Sequence, residues 1–595
     1  MTIERALHPD ADPWWRTAVV YQIYPRSFAD SDGDGVGDLR GILSRLDHLS
    51  ALGVDVIWLS PVYPSPQDDG GYDISDYQGI DPLFGTLADM DALLDGVHAR
   101  GMRLVMDLVV NHTSDEHAWF TASRSSREDP KRDWYWWRPP RPGTVGGTPG
   151  AEPNDWESFF TGSTWEFDEA SGEYFLHLFS RRQPDLNWEN PQVRAAVHAM
   201  MRWWLDRGVD GFRMDVVNLL SKDPALPDSA PVTAEEAARG GGRFRGAEHY
   251  LTGPRIHEFM AEMHREVFAG RPGRLLTVGE TPGVSIEDAR LFTDPARREL
   301  DMVFQFEHMA VDQGDTKWDL RPVDLPRLKA VMARWQHGLA DVGWNSLYWD
   351  NHDQARAVSR FGNDSHEHRV TSAKTLATVL HLHRGTPFVY QGEELGMTNH
   401  PFTGVEELAD IEAIRYHRQA LADGVAPQVA WDSVLARGRD NARTPMQWDD
   451  GPQAGFTTGT PWLPVNPNRD RVNARAALAD PGSVFHHYRA LIAMRHTEPV
   501  LVDGDFTLLA PDHPRLWAFT RRNASVELLV VANVSGEPVG AEELTEAGVD
   551  LAAWAGAEVL LPTHPAGSRP GAGLLPWGSR MHRRSHDREG MIVER

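Results

Sequence analysis

What most constrains the fold of this chain is a repeated pairing. A short apolar, β-branched run is followed by a longer stretch whose apolar residues fall three and four apart. The runs span residues 18–25, 54–62, 103–112, 209–216, 275–280, 302–308, 346–353 and 387–393. Residues three and four apart share one helix face, so segments such as 39–52, 90–100 and 191–207 can cover a sheet. Eight such units in series predict an α/β chain built on a (β/α)8 TIM barrel. At 595 residues the chain is too long for one core. The barrel is expected over 1–112 and 185–497. Residues 113–184, rich in Gly, Pro and Trp, form an inserted domain after the third strand. Short alternating runs over 498–577 predict a C-terminal antiparallel β-sandwich, and 578–595 reads as a polar, solvated tail. Long excursions at 228–249 and 398–450 fall on the same side as the insert.

The ends of the runs carry the chemistry. Asn111, His112, Asp215, Glu280, His308, His352, Asp353 and Glu393 all lie at or beside strand C-termini, where a (β/α)8 barrel gathers its active site. In Gly-Phe-Arg-Met-Asp-Val the alternation puts Arg213 and Asp215 on one face, and a guanidinium beside a carboxylate keeps it ionised. On this strand alone, a structural ion pair lining the barrel would look the same. Glu280 ends an apolar strand, where desolvation raises a carboxyl toward general-acid use. A nucleophilic carboxylate and an acid on neighbouring strands suit retaining glycoside hydrolysis. Asp353 adds a third carboxylate, and His112 and His352 are donors suited to sugar hydroxyls.

Composition narrows the partners. The net charge of −27 disfavours nucleic acid and anionic lipid. Without cysteine there is no disulfide, thiolate nucleophile or zinc–thiolate site. No apolar run has membrane-spanning length and the first residues lack a signal-peptide core, so no membrane partner and a cytoplasmic location are expected. Monomer and dimer remain open.

Five segments, Asp-Leu-Val-Val-Asn-His at 107–112, Gln-Pro-Asp-Leu-Asn-Trp-Glu-Asn at 183–190, Gly-Phe-Arg-Met-Asp-Val-Val-Asn at 211–218, Val-Gly-Glu at 278–280 and Asn-His-Asp-Gln at 351–354, resemble the ordered motifs of the α-amylase family of glycoside hydrolases, in its oligo-1,6-glucosidase and α-glucosidase branch. The resemblance implies Asp215 as nucleophile, Glu280 as acid/base and Asp353 as transition-state stabiliser. It implies that Arg213, His112 and His352 surround the glucose ring, and that Asp73 and Arg443 hold the terminal hydroxyl of the non-reducing end. Phe160, Phe179 and Gln183 would shape the mouth. Val216, next to the nucleophile, goes with α-1,6 cleavage in the family. The implied activity is retaining exo-hydrolysis of short α-glucosides without an organic cofactor. The alternatives are an α-1,4-preferring or sucrose-active enzyme with transglucosylation, and a non-catalytic binding subunit. Sucrose isomerases of the family carry an Arg-Leu-Asp-Arg-Asp motif that is absent here.

Residues 29–38 read Ala-Asp-Ser-Asp-Gly-Asp-Gly-Val-Gly-Asp, an oxygen-rich loop suited to calcium. Position twelve from Asp30 is Gly41 in place of the bidentate glutamate, which excludes an EF-hand. The resemblance implies a structural calcium ion here, held by Asp30, Asp32, Asp34, Val36 and Asp38. A solvated acidic turn is the alternative.

Overall fold

A computed structural model describes residues 13–230, 245–271, 273, 275–564 and 572–586. In chain order its first eleven strands are β1 (Val20–Ile23), β2 (Val56–Leu59), β3 (Arg103–Leu108), β4 (Trp137–Arg138), β5 (Trp165–Asp168), β6 (Glu173–Leu176), β7 (Gly211–Met214), β8 (Leu276–Glu280), β9 (Met302–Phe304), β10 (Ser346–Leu347) and β11 (Thr386–Tyr390). Eight of them form one parallel sheet in the order β10-β11-β1-β2-β3-β7-β8-β9. A parallel bridge between Val303 and Asn345 closes it into a barrel. Each barrel strand overlaps one of the runs read from the sequence. Most of the strands are shorter than those runs, with Asn111, His112, Asp215, His308, His352, Asp353 and Glu393 following the strand ends.

Helices between the strands have identifiable starts and stops. Pro191–Arg207 begins with the Asn190 side chain capping Gln192 N–H and Pro191 in the first turn, and ends at left-handed Gly208. Leu87–His98 opens with a capping box between Thr86 and Asp89. Glycine is required at Gly211, where φ is +145° and an added Cβ would lie 2.0 Å from Leu276 O, so β7 and β8 can approach there.

The insert after β3 contains a three-stranded antiparallel sheet, β4-β6-β5. Its core of Trp136, Trp156, Trp165, Tyr174, Leu176 and Leu178 also takes in Val216, Leu219 and Tyr250 from beyond β7. The insert is therefore packed onto the segment that follows the nucleophile candidate.

The C-terminal unit is one five-stranded antiparallel sheet of β12 (Asp505–Leu509), β13 (Leu516–Arg522), β14 (Val526–Asn533), β15 (Glu558–Leu560) and β16 (Ser579–Ser585), ordered β12-β13-β14-β16-β15. Trp517, Phe519, Leu528, Val530 and Met581 join the barrel core. On the other face Leu516, Ala518, Leu529 and Val531 pack with Leu544, Val549, Leu551 and Trp554. Among the described residues that outer layer is helical, with Ala541–Glu546 and Leu551–Trp554, and not a second sheet. The expectation of a solvated tail from 578 fails for Ser579–Ser585. This segment pairs with both β14 and β15. Its charges are satisfied within the fold: Arg583 Nε donates to Glu498 Oε1 at 2.9 Å and Arg584 Nη2 to Glu527 Oε2 at 2.6 Å.

Candidate active site

Arg213 is the centre of the site. From β7 its Nη1 donates to Asp215 Oδ1 at 2.7 Å and to Asp107 Oδ1 of β3 at 2.8 Å. Its Nη2 lies 2.6 Å from Glu280 Oε2 at the end of β8. The guanidinium rests 4.8 Å from the Trp58 ring centroid. Burial opposes its charge, yet Asp107, Glu280 and Asp215 hold it well above the ordinary arginine range. One planar fork thus joins carboxylates from three adjacent strands.

Asp215 and Glu280 share the Arg213 guanidinium, one carboxylate on each of its terminal nitrogens. Burial raises the Asp215 carboxyl well above the usual range; Arg213 opposes this, while Glu280 and Asp107 add to it. The sequence had suggested an ionised Asp215, but in the free pocket two neighbouring carboxylates and burial outweigh the single guanidinium. Glu280 Oε2 also accepts the Val216 N–H at 3.1 Å.

Asp353 faces the same pocket. Its Oδ1 accepts from Arg443 Nη2 at 2.8 Å and Arg439 Nη1 at 3.3 Å, and its Oδ2 lies 3.1 Å from His352 Nε2. Burial alone would raise this carboxyl, but His352, Arg439 and Arg443 hold it well below the usual range. His352 is fixed from three directions. Its Nδ1 is 2.8 Å from Gln22 Nε2, Tyr72 stacks on it at 4.9 Å and 5°, and Tyr24 lies on it at 6.2 Å and 12°. The tautomer follows: the Gln22 amide donates to Nδ1, so Nε2 carries the proton toward Asp353. Tyr72 O–H donates to Asp107 Oδ2 at 2.8 Å, which links this layer to Arg213.

A wall closes one side. Arg439 Nη2 meets Asp69 Oδ1 at 3.1 Å, Gln183 Nε2 donates to Asp69 Oδ2 at 3.2 Å, and the Arg439 guanidinium lies 5.3 Å from the Phe160 ring. Phe160 and Phe179 meet edge to face at 5.8 Å, and Phe179 lies 5.1 Å from the His112 ring. His112 Nε2 is bonded to Tyr72 O at 3.1 Å, and burial pushes its pKa down, leaving the imidazole neutral.

Asp73 does not belong to this wall. Its carboxylate is consumed by Ser65 Oγ at 2.9 Å and by the N–H groups of Asp68 and Asp69 at 2.8 and 3.1 Å. It shapes the turn that presents Asp69, and Asp69 is the residue that faces the arginines. Likewise Arg443 reaches Asp353 and not Asp73, and Arg439 makes the contact to Asp69. His308 and Glu393, also noted at strand ends, turn away: His308 Nε2 bonds Tyr348 O at 2.9 Å and Glu393 Oε1 accepts from Tyr488 O–H at 2.6 Å.

Sequence reasoning missed Asp69, Asp107, Tyr72 and Arg439. The alternation of β3 could have found Asp107, which lies level with Arg213 in the ladder. Beside the wall opens a cavity of about 470 Å³ lined by Phe159, Phe179, Val216, Glu280, Lys317 and Trp318, among others. Glu280 and Val216 border it. Of the long excursion at 228–249, residues 231–244 lie outside the described residues.

In the 29–38 loop Asp30, Asp32 and Asp38 each place a carboxylate oxygen so that all lie within 4.8 Å of one another. An all-oxygen set of this kind fits a hard divalent cation. Asp34 stands apart from that trio, its Oδ1 accepting the Val36 N–H at 2.8 Å.

The barrel, the insert after β3 and the carboxylates gathered around one arginine define a carbohydrate-active (β/α)8 enzyme. Residues 22–504 match the model of the alpha amylase catalytic domain, and the chain belongs to that family. It is 56% identical over 524 residues to an oligo-1,6-glucosidase of Parageobacillus thermoglucosidasius, covering 88% of this chain and 90% of that one. A trehalose-6-phosphate hydrolase of Bacillus subtilis is 48% identical over 526 residues, covering 88% and 90% of the two chains. Among solved structures, the trehalulose synthase of Pseudomonas mesoacidophila MX-45 superposes with a TM-score of 0.87 at 41% identity, covering 96% of this chain and 100% of that one.

Proposed function

We propose that this glycoside hydrolase releases single glucose units from the non-reducing ends of short α-1,6-linked glucosides, with retention. The observation that carries the reading is the Arg213 fork joining Asp215 and Glu280, with Glu280 bordering a cavity of about 470 Å³. Sugar entering the pocket lies against the ionised Asp353, whose charge favours the oxocarbenium-like transition state. Asp215 attacks the anomeric carbon as Glu280 gives its proton to the departing glycosidic oxygen; Glu280 then takes a proton from water, whose oxygen attacks the same carbon, breaks its bond to Asp215 and releases glucose. In this step Glu280 is the proton donor and Asp215 the anion, paired with Arg213.

The Asp69–Arg439 pair links the loop after β2 to the excursion after β11. It gives the glucose pocket a polar wall suited to a terminal hydroxyl, which favours exo-attack. Val216 lines the leaving-group space with an apolar branched side chain and no hydroxyl, in keeping with α-1,6 preference. The name of the 56% identical relative, an oligo-1,6-glucosidase, supports the same linkage. A calcium ion held by Asp30, Asp32 and Asp38 would supply structural charge neutralisation in the loop after β1, outside the chemistry.

Glucose release from isomaltose, maltose and sucrose, with Asp215→Ala as blank, tests the reading. Isomaltose should lead. Maltose or sucrose ahead would overturn the linkage assignment, and activity in the Asp215→Ala protein would overturn the nucleophile. Val216→Thr should shift the isomaltose-to-maltose ratio of kcat/KM toward maltose, and an unchanged ratio removes Val216 as its cause.

A further inference from the structure

Val216 has φ +36° and ψ +43°, the left-handed region, where a β-branched residue is an outlier. The bend has a local cause. β7 stops at Met214, the Asp215 N–H still pairs with Leu108 O at 2.9 Å, and the chain then enters the short helix Val217–Leu219, whose Leu219 N–H returns to Val216 O at 2.9 Å. The neighbouring strand makes room for it: a Cβ on Gly279 would come within 3.0 Å of Val217 Cγ1 and 2.5 Å of Leu300 Cδ1. The bend is also held from outside, because the Val216 side chain is buried in the cluster with Trp156, Leu219 and Tyr250. Strain kept in place by packing on several sides is characteristic of functional positions.

The consequence lies on Glu280. With the bend, the Val216 N–H points at Glu280 Oε2, 3.1 Å away, and Arg213 Nη2 reaches the same oxygen at 2.6 Å. An oxygen that accepts an N–H and lies against a guanidinium nitrogen is a poor place for a proton, since its hydroxyl would face both. We infer that the left-handed bend at Val216 positions the acid/base: its peptide N–H and Arg213 together hold Glu280 Oε2, so that Oε1 is the oxygen that gives and takes the proton. Val216 is thereby a positioning residue through its backbone, separately from its side chain in the leaving-group space. The inference rests on the assignment of Glu280 as acid/base.

Replacing the Val216 amide by an ester, through incorporation of the α-hydroxy analogue of valine, removes the N–H and keeps the side chain. A hydrogen bond lost from the anionic form of Glu280 should move the alkaline limb of kcat/KM on isomaltose upward by about one pH unit. Turnover of α-glucosyl fluoride, whose leaving group needs no proton, should change less than that of isomaltose. Val216→Gly retains the N–H and loses only the side chain, so, whatever it does to turnover through the leaving-group space, its limb should shift less than that of the ester protein. An unmoved limb in the ester protein, or an equal shift in Val216→Gly, overturns the inference. Glu280→Gln tests the underlying assignment separately. It should lose isomaltose hydrolysis and form glucosyl azide from the fluoride when azide is added; retained isomaltose hydrolysis would remove the acid/base reading itself.

Discussion

Arg213 and Glu280 meet at 2.6 Å through Nη2 and Oε2, while Nη1 of the same guanidinium holds Asp215 Oδ1 at 2.7 Å. The distance between nucleophile and acid is therefore set by the span of one rigid planar group. Lysine retains the charge but has no fork. Arg213→Lys should lower kcat/KM on isomaltose by about 10²–10³-fold, a loss of the size seen when a preorganised donor is removed. The melting temperature should fall by only a few degrees, since the buried positive charge remains. A variant within a few-fold of wild type would show that the spacing of the pair is set elsewhere.

Asp69 and Asp73 make opposite predictions. Asp69 meets Arg439 and Gln183, so Asp69→Asn should cost about 10²-fold or more in kcat/KM, as expected when a buried charged contact to substrate is lost. Asp73→Asn should act mainly on stability, through pH. Burial raises the Asp73 carboxyl to about 6, against the opposing N–H groups of Asp68 and Asp69. A carboxyl raised on folding binds more protons in the native state. Its penalty is absent below the unfolded value near 4 and complete above about 6, on the order of 3 kcal/mol. Urea unfolding at pH 4 and pH 7 should show Asp73→Asn gaining stability relative to wild type as pH rises. A pH-independent difference, or an Asp73→Asn activity loss equal to that of Asp69→Asn, would reverse the roles given to the two residues.

The legible and illegible parts of the site divide along physical lines. Arg213 and Asp215 were paired correctly because strand alternation fixes which side chains share a face. Asp69 was missed because Asp-Asp-Gly-Gly-Tyr-Asp-Ile is a turn, where no periodicity says which aspartate looks inward and which holds backbone N–H groups. Arg439 and Arg443 sit four apart around the short helix Asp440–Arg443. Both reach Asp353, so choosing one was a choice between equals on the same face. The raised pKa of Asp215 could not be read from its own strand. It depends first on burial within the assembled barrel, and then on Glu280 and Asp107, contributed by β8 and β3.

Asp30, Asp32 and Asp38 bring carboxylate oxygens within 4.8 Å of one another, and a divalent cation between them would offset their mutual repulsion beyond what the N–H and O–H donors on Asp30 and Asp38 already do. Mass spectrometry of the purified protein under native conditions should find one calcium ion per chain. A chelator should lower the melting temperature by several degrees, the shift produced by about 1–2 kcal/mol in a large domain. Asp32 is exposed, whereas Asp38 also caps the helix Leu39–Ser44 through Gly41 N–H at 2.7 Å. Asp32→Ala is therefore the cleaner variant, and it should abolish the chelator effect. No bound ion together with unchanged melting in chelator would leave the loop as an acidic turn.

The end of the chain gives a prediction that its charge would not suggest. Ser579–Ser585 lies between β14 and β15, and Met581 is fully buried against the barrel core. Deleting 578–595 removes a whole strand, leaves β14 with an unpaired edge, and strips Glu498 and Glu527 of their arginine partners. Burial of Met581 alone is worth about 1.5–3 kcal/mol, and the strand's ladder bonds to two neighbours add to it. The truncated protein should melt at least about 5 °C lower or fail to stay soluble, with the loss measured against a chain ended after His586, which keeps every described residue of the strand. If both truncations melted like the full chain, β16 would contribute nothing to the C-terminal sheet, and its charged residues would behave as the solvated tail their composition suggests.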